Sequence, residues 1–215
     1  MKKIMMIAAL LVATLSASAQ NEVGQVTLKP TVGMTLASIT GNVSSPLSKK
    51  MKVGLTAGFE AEYGLAENFG ITAGVLYAME GAKIKYSEDG VSATTNLNFD
   101  YINIPILAQF YLVKGLAIKA GIQPAFNVRK KLSTDVSGTI NDGVASKYVN
   151  DAINSVFPKD KVQTFNFSIP VGLSYEYECF VLDARYNIGV TKIMKDSDQG
   201  RNSTFTFTLG YKFAL

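Results

Sequence analysis

The chain has 215 residues, of which 21 are Lys or Arg and 17 are Asp or Glu, so its charge is no argument for a nucleic-acid partner. It contains no His and one Cys, Cys179. The lack of His excludes Ser-His-Asp and Cys-His nucleophilic sites in their usual form, together with His-based zinc and iron sites, and a single Cys excludes an intramolecular disulfide.

The N-terminal residues have the pattern of a cleaved export signal. A pair of lysines precedes an apolar run at residues 4–15, and an Ala-x-Ala motif follows. A membrane anchor is the alternative, but the apolar run is too short to cross a bilayer. We therefore predict a signal peptide at residues 1–19 and a mature domain at residues 20–215. The residues that define the predicted cleavage site are Ala17, Ala19 and Gln20.

From residue 26 onward, apolar and polar residues alternate with a period of two, which predicts strands with one apolar and one polar face. The last stretch is the clearest, because its apolar residues alternate without error with small or polar ones. In chain order, the eight predicted strands are about Val26–Leu36, Lys52–Tyr63, Gly70–Lys85, Asn98–Leu112, Leu116–Arg129, Gln163–Glu178, Phe180–Thr191 and Ser203–Phe213.

The predicted connections alternate between short and long. Short ones fall at residues 64–69, 113–115 and 178–179, and longer ones at residues 39–51, 86–97, 130–162 and 192–202. An even number of strands, each long enough to cross a bilayer, with short turns at one end, is typical of a bacterial outer-membrane barrel. We therefore predict an all-β fold: an eight-stranded antiparallel up-and-down transmembrane β-barrel with both termini on the periplasmic side.

The apolar faces are predicted to contact lipid. On the last strand the lipid-facing residues are Phe205, Phe207, Leu209, Tyr211 and Phe213. Aromatic residues near strand ends predict girdles at the lipid headgroups: Tyr63, Tyr77, Tyr175, Tyr177, Tyr211 and Phe213. Four prolines within strands (Pro30, Pro105, Pro124 and Pro170) predict bulges or breaks in the ladder. Helical spacing of apolar residues predicts a short helix at Ala145–Phe157 in the longest connection.

The polar faces are predicted to line the lumen, where five acids would meet five bases: Lys29, Lys52, Glu60, Glu62, Glu80, Lys119, Glu176, Asp183, Arg185 and Lys212. Side chains just fill a barrel of eight strands, and buried charges must be paired, so we predict an ion-paired plug. The glycines recur singly within strands and are predicted to be small lumen residues. A carboxylate pair working as acid and base, Glu60 with Glu62 or Glu80, is the alternative, but no nucleophile accompanies it. We predict no catalytic residue, no cofactor and no metal.

Three motifs resemble the PorT-like outer-membrane β-barrel family of Bacteroidetes: Tyr101-Ile-Asn-Ile-Pro105-Ile-Leu, Asp183-Ala-Arg-Tyr-Asn187-Ile-Gly189 and Leu209-Gly-Tyr-Lys-Phe213. The resemblance covers essentially the whole mature chain. It implies an eight-stranded outer-membrane barrel, and the founding member of that family is linked to a protein secretion and gliding machinery.

The function expected from these features is non-enzymatic: a structural or surface-interaction role exercised through the extracellular connections. One alternative is an accessory of a secretion or gliding apparatus, and a second is a periplasmic lipocalin-like barrel that holds a ligand in an apolar interior. The expected partners are outer-membrane lipid and lipopolysaccharide, which Lys49, Lys50 and residues 129–131 could contact at loop positions, the barrel assembly machinery, and a protein bound through the loops. We expect a monomer.

Overall fold

The computed structural model describes residues 23–40, 47–88, 91–137, 163–193 and 200–215. The predicted cleavage site at residues 17–20 and the predicted helix at residues 145–157 lie outside these ranges. None of the described residues forms a helix long and apolar enough to cross a membrane.

The described residues form eleven antiparallel strand segments. In chain order these are β1 (Val26–Ile39), β2 (Leu47–Lys50), β3 (Lys52–Ala66), β4 (Phe69–Glu88), β5 (Val91–Asn103), β6 (Ile106–Val113), β7 (Leu116–Ser137), β8 (Phe165–Tyr177), β9 (Phe180–Lys192), β10 (Arg201–Tyr211) and β11 (Phe213–Ala214). Three pairs of segments, β2 with β3, β5 with β6, and β10 with β11, are separated by only one or two residues and continue one another. The eleven segments therefore make up eight barrel strands, each of which we call a wall.

The walls close into a barrel. Each wall pairs with the next along the chain, and β10 returns to pair with β1 from Thr31 opposite Gly210 to Ile39 opposite Asn202. Closure removes the free sheet edge that would otherwise expose unpaired backbone groups. The prediction of a closed, eight-stranded antiparallel barrel is confirmed.

The strands extend further at one end of the barrel than the sequence pattern predicts. β4 and β5 pair continuously as far as Glu88 opposite Val91, so the prediction of a long connection at residues 86–97 was wrong. β7 pairs with β5 as far as Ser137, and β2 pairs with β4 inside another predicted connection. In the sequence of β4 the apolar residues at alternate positions end at Met79 and are followed by Lys83 and Lys85, so the apolar alternation of that face ends before the backbone pairing does.

The four prolines lie at gaps in the ladder. Pro105 lies in the break between β5 and β6, and Pro30 lies where β1 changes its partner from β10 to β11. Pro124 lies where the partner of β7 changes from β6 to β5, and Pro170 lies at a gap in the β7–β8 ladder. Shifts of register occur elsewhere, so the expected breaks are present, whereas the expected bulges are not at the prolines.

Candidate functional site: the charged lumen

The barrel is polar inside and apolar outside. Alternate residues of each strand point to opposite faces, and the buried ones are mainly polar or charged. The buried charged residues that point into the lumen are Lys29, Glu60, Glu62, Glu80, Lys119, Asp183, Arg185 and Lys212; Asp100 is also buried, but it lies on the outward face opposite Arg129. A ligand-binding barrel of lipocalin type would have the opposite arrangement, with an apolar interior, so the structure does not support that alternative.

Five charged side chains meet in the middle of the lumen, and we call them the central ion cluster: Lys29, Glu60, Lys119, Asp183 and Arg185. Lys29 Nζ lies 2.7 Å from Glu60 Oε2 and 3.7 Å from Asp183 Oδ2. Lys119 Nζ lies 2.5 Å from Asp183 Oδ2. Arg185 joins both acids, because its Nη1 lies 2.6 Å from Glu60 Oε1 and its Nε donates to Asp183 Oδ1.

The central ion cluster ties distant walls of the barrel together. Its members come from β1, β3, β7 and β9, and each side chain exposes 6% or less of its surface. Removing such charges from water is costly unless each finds a partner of opposite sign with good geometry. The cluster supplies these partners, and with three cations and two carboxylates it carries one excess positive charge.

Glycines make room for the stems of this cluster. A Cβ atom at Gly210 would lie 2.7 Å from Lys29 Cγ, and one at Gly74 would lie 2.7 Å from Glu60 Cγ. At Gly172 the Cβ would lie 2.9 Å from the Cγ of Arg185. Such distances are shorter than van der Waals contact allows, so a side chain at any of the three positions would displace a charged stem.

A second group, the lower ion cluster, lies toward the end of the barrel with the short turns and consists of Glu62, Glu176 and Lys212. Lys212 Nζ lies 2.6 Å from Glu176 Oε2 and 3.0 Å from Glu62 Oε2. Glu62 Oε1 also accepts hydrogen bonds from the Tyr111 hydroxyl at 2.7 Å and from Gln109 Nε2 at 3.2 Å. Two carboxylates and one cation leave an excess negative charge, which complements the excess positive charge of the central ion cluster.

Glu80 differs from the other lumen acids. Its carboxylate accepts hydrogen bonds from Asn103 Nδ2 at 3.1 Å and from the Thr204 hydroxyl at 3.4 Å, and it forms no ion pair with a described residue. Lys52, expected to join the lumen charges, instead donates from Nζ to the main-chain oxygen of Glu80 at 2.7 Å. The structure therefore brings eight of the ten predicted lumen charges into ion pairs, and leaves Glu80 and Lys52 outside them.

This difference gives a testable expectation. Replacing Glu80 by Gln keeps the size of the side chain and its capacity to accept a hydrogen bond, and no buried cation loses its partner. We expect the free energy of unfolding to change by about 1 kcal/mol or less. The matched change Glu60→Gln weakens the pairing of Lys29 and Arg185 and should cost clearly more. Urea titration of both variants in lipid vesicles measures the two values, and equal losses would contradict the assignment.

An apolar cluster, the apolar cap, closes the lumen toward the end with the long connections. It is formed by buried residues of β1, β4, β5 and β7 together with the residue that follows β9: Ile39, Ala82, Leu97, Phe99, Tyr101, Ala125 and Ile193. The sequence pattern did not predict this cluster, because Ile39 and Leu97 lie in predicted connections. The signal was present at Leu97, Phe99 and Tyr101, three large side chains at alternate positions, but on a face otherwise expected to be polar.

The chemical capacity of this interior is limited. Glu60, the acid expected in a general acid–base pair, is held by two cations and its side chain has no exposed surface. Within the described residues, no group of three or more His, Cys, Asp or Glu side chains could hold a metal ion. What the arrangement does provide is a rigid, filled lumen.

The outward faces are apolar. Phe205, Phe207 and Leu209 of β10 are exposed on the outside of the barrel, and Tyr211 and Phe213 are partly exposed near the short-turn end. Of the residues expected in aromatic girdles, Tyr63, Tyr175 and Tyr177 also lie at that end and are exposed. Tyr77 lies toward the opposite end, where its hydroxyl donates to Asp100 Oδ2 at 2.6 Å.

Comparison with known proteins gives one family and several structural likenesses. A family model described as outer membrane protein beta-barrel domain matches residues 18–195, which is most of the chain. A search of curated proteins gave no match. Similar solved structures include Ail, the attachment invasion locus protein of Yersinia pestis, with 12% identity over 89% of this chain and 100% of that chain and a TM-score of 0.44.

Two further solved structures are similar at comparable levels. OprG from Pseudomonas aeruginosa has 10% identity over 91% of this chain and 98% of that chain, with a TM-score of 0.48. Neisserial surface protein A has 15% identity over 87% of this chain and 97% of that chain, with a TM-score of 0.43.

Proposed function

Because the chain belongs to the family of outer membrane protein beta-barrel domains and is a barrel of the bacterial outer membrane, we propose that it is a non-enzymatic, non-conducting membrane protein that acts through its surface. On this proposal the barrel is an anchor that holds the long connections on the extracellular side. Both termini lie on the periplasmic side, since short turns face the periplasm in barrels of this kind.

The observation that carries this proposal is the filled lumen. The lower ion cluster, the central ion cluster and the apolar cap follow one another along the barrel axis, and each is made of buried side chains that contact one another across the walls. An eight-stranded barrel has little interior space beyond what side chains fill. A lumen occupied in this way supports an anchoring role better than transport of a solute.

The arrangement of the acids supports a non-enzymatic role. A general acid or base must reach the proton that it transfers, directly or through one water. Glu60 is held by Lys29 and Arg185, and Glu62 is held by Lys212 and Tyr111, so both carboxylates are occupied by structural contacts.

The long-connection end is where we propose that interactions occur. Connections on a rigid scaffold tolerate variation and commonly carry binding residues. The segment at residues 138–162 is the longest such stretch of the sequence, and we propose that it contributes most to partner choice. We further propose that the protein is a monomer and reaches the membrane through the barrel assembly machinery.

A secretion or gliding role is a second expectation, and it rests on the PorT-like resemblance alone. The structure places the charged residues of two of those motifs, Asp183, Arg185 and Lys212, in the two ion clusters. These residues therefore have a structural explanation in any barrel of this type, so the motifs favour the fold more than the role.

The filled lumen predicts a closed protein. In a planar lipid bilayer, the folded barrel should give no steady conductance, because the three groups of side chains occupy the lumen. The variant Arg185→Ala should remain closed, since the lower ion cluster and the apolar cap persist. Unboiled samples that migrate differently from boiled ones on a gel would verify that the protein is folded. Stable open steps from the unmodified protein would overturn the proposal.

The proposed orientation predicts a one-sided pattern of proteolysis. Trypsin added to intact cells should cut within residues 138–162, which contain Lys147, Lys159 and Lys161. An epitope attached after Leu215 should become accessible to antibody only after the outer membrane is permeabilised. Labelling of that epitope on intact cells would show that the orientation is reversed.

A further inference from the structure

The strand register brings four basic residues together on the outer surface, a grouping that we call the basic patch: Lys50, Lys83, Arg129 and Lys131. Lys50 of β2 lies opposite Lys83 of β4. On the neighbouring strands, Arg129 of β7 lies opposite Asp100 of β5, and Lys131 lies opposite Asn98. Lys83 in turn lies opposite Asn96, two residues from Asn98. Partners in register and residues two apart share a face, so all four cations lie on one side of the sheet.

That side is the outside of the barrel. On β5 the alternate residues Leu97, Phe99 and Tyr101 are buried in the apolar cap, so the positions between them point outward. Lys50, Arg129 and Lys131 are exposed, and Lys83 is partly exposed. Neighbouring strands are about 4.8 Å apart and alternate residues about 6.7 Å apart along a strand. The four Cα atoms therefore fall within a patch roughly 20 Å across.

The basic patch begins where the apolar surface ends. Val128, the outward residue directly before Arg129, is exposed and apolar, and Ile102 and Met79 are the corresponding apolar residues on β5 and β4. Tyr77 lies one step deeper and bonds Asp100 with its hydroxyl. Along β4 the outward residues run from Val75, Tyr77 and Met79 to Lys83, so an apolar and aromatic surface gives way to a basic one, as at the boundary between lipid chains and lipid headgroups.

Among the side chains that the structure describes, the charge of the basic patch is largely uncompensated. Among outward residues whose side chains the structure describes here, Asp100 is the acid, and it lies 3.6 Å from Arg129. Lys50, Lys83 and Lys131 form no ion pair with any of these residues. Of the three exposed charged residues in the short turns, two are acidic, Glu67 and Glu178, and one is basic, Lys114. The two ends of the barrel thus present different charges to the two sides of the membrane.

We propose that the basic patch binds the phosphate groups of lipids in the outer leaflet. The ligand must have an apolar part toward the middle of the membrane and an anionic part toward the membrane surface, since the patch lies directly beyond the lipid-facing surface of the barrel. A lipid with a phosphorylated headgroup has that chemistry. The three lysines have flexible side chains, so their amines can converge on a phosphate group. The inference rests on the proposed orientation, which places this end in the outer leaflet, and it is independent of whether the barrel conducts.

The test uses the full-length folded protein in a zwitterionic detergent, titrated with lipopolysaccharide, with one-to-one complexes counted by native mass spectrometry. Each lysine near an anionic surface contributes a factor of about five to binding. The triple variant Lys50→Gln, Lys83→Gln, Lys131→Gln should therefore bind about a hundredfold more weakly at low salt, where surface charges are little screened. Lys114→Gln, at the opposite end, is the matched control and should bind as the unmodified protein does.

Two further probes identify the ligand chemistry. Lipopolysaccharide from which the phosphates have been removed should bind the unmodified protein as weakly as the triple variant binds the intact lipid. Inorganic phosphate at millimolar concentration should not displace the lipid. Equal binding by the triple variant, equal loss in the Lys114 variant, retention of the dephosphorylated lipid or displacement by free phosphate would each overturn the proposal. A failure of the proposed orientation would instead appear in the proteolysis of intact cells.

Discussion

Replacing Arg185 by methionine should destabilise the barrel by about 3–5 kcal/mol, the range expected when one partner of a buried ion pair is removed. The guanidinium of Arg185 is the group that joins both acids of the central ion cluster, since it contacts Glu60 and Asp183. Methionine keeps a long unbranched side chain, so the packing loss is small, and the main effect is that two buried carboxylates lose a shared partner.

The measurement is a urea titration of the protein in lipid vesicles, with the folded fraction read from the migration of unboiled samples. Arg129→Met is the matched control, because Arg129 also pairs with an aspartate, Asp100, but its side chain is 57% exposed. Because Arg129 is largely in solvent and Asp100 keeps its hydrogen bond from the Tyr77 hydroxyl, this variant should lose much less stability, about 1 kcal/mol. Similar losses at the two positions would mean that the central ion cluster is not what holds the lumen together.

The second large effect is expected on the outside of the barrel. Phe207 lies at the middle of β10 and points outward, with 43% of its surface exposed. Phe207→Arg would place a charge near the bilayer midplane, where such changes cost about 2–4 kcal/mol. Leu112→Arg is the comparison, since Leu112 is similarly exposed but lies close to a short turn, where the cost falls to about 0–1 kcal/mol.

The depth dependence makes this pair of variants informative. Both substitutions replace an exposed apolar side chain on the outer surface of the barrel by Arg, so the changes in strand propensity and in packing are comparable. Only a low-dielectric layer around the middle of the barrel distinguishes them. Unfolding measured in vesicles should therefore give a larger loss for Phe207→Arg than for Leu112→Arg. Equal stability of the two variants, with a protein that folds in water without lipid or detergent, would contradict the membrane placement.

The architecture was predictable because the period of two along a strand is a local property. In β10 the alternation of Phe205, Phe207 and Leu209 with threonines assigns every side chain to a face without knowledge of any partner strand. The same alternation assigned Asp183, Arg185 and Lys212 to the lumen, where the structure places them. Closure then followed from the even number of strands.

What the pattern did not reveal depends on register and on backbone pairing. Which acids pair with which bases depends on the position of each residue along the barrel axis. The lack of an ion pair between the Glu80 carboxylate and any described cation could therefore not be inferred from the strand face alone. Lys52 lies in the part of β3 that does not pair with β4, since that pairing begins at Thr56. Its amine donates to a main-chain oxygen instead of a carboxylate. The extensions of β4, β5 and β7 were missed because strands pair through their backbones, and that pairing continues past the last apolar residues of the lipid-facing side.

The way in which the central ion cluster spans the barrel has a consequence for how the chain folds. Lys29 comes from the first strand and Asp183 and Arg185 from the penultimate wall, while β1 meets β10 across a contact between residues 178 positions apart. Contacts of such separation form late, because the entropy of closing the intervening loop must be overcome first. A chain that has not received its C-terminal strands therefore holds unmatched charges on its inner face. Completion of the ring and neutralisation of the interior become a single event, which penalises incomplete or wrongly joined barrels.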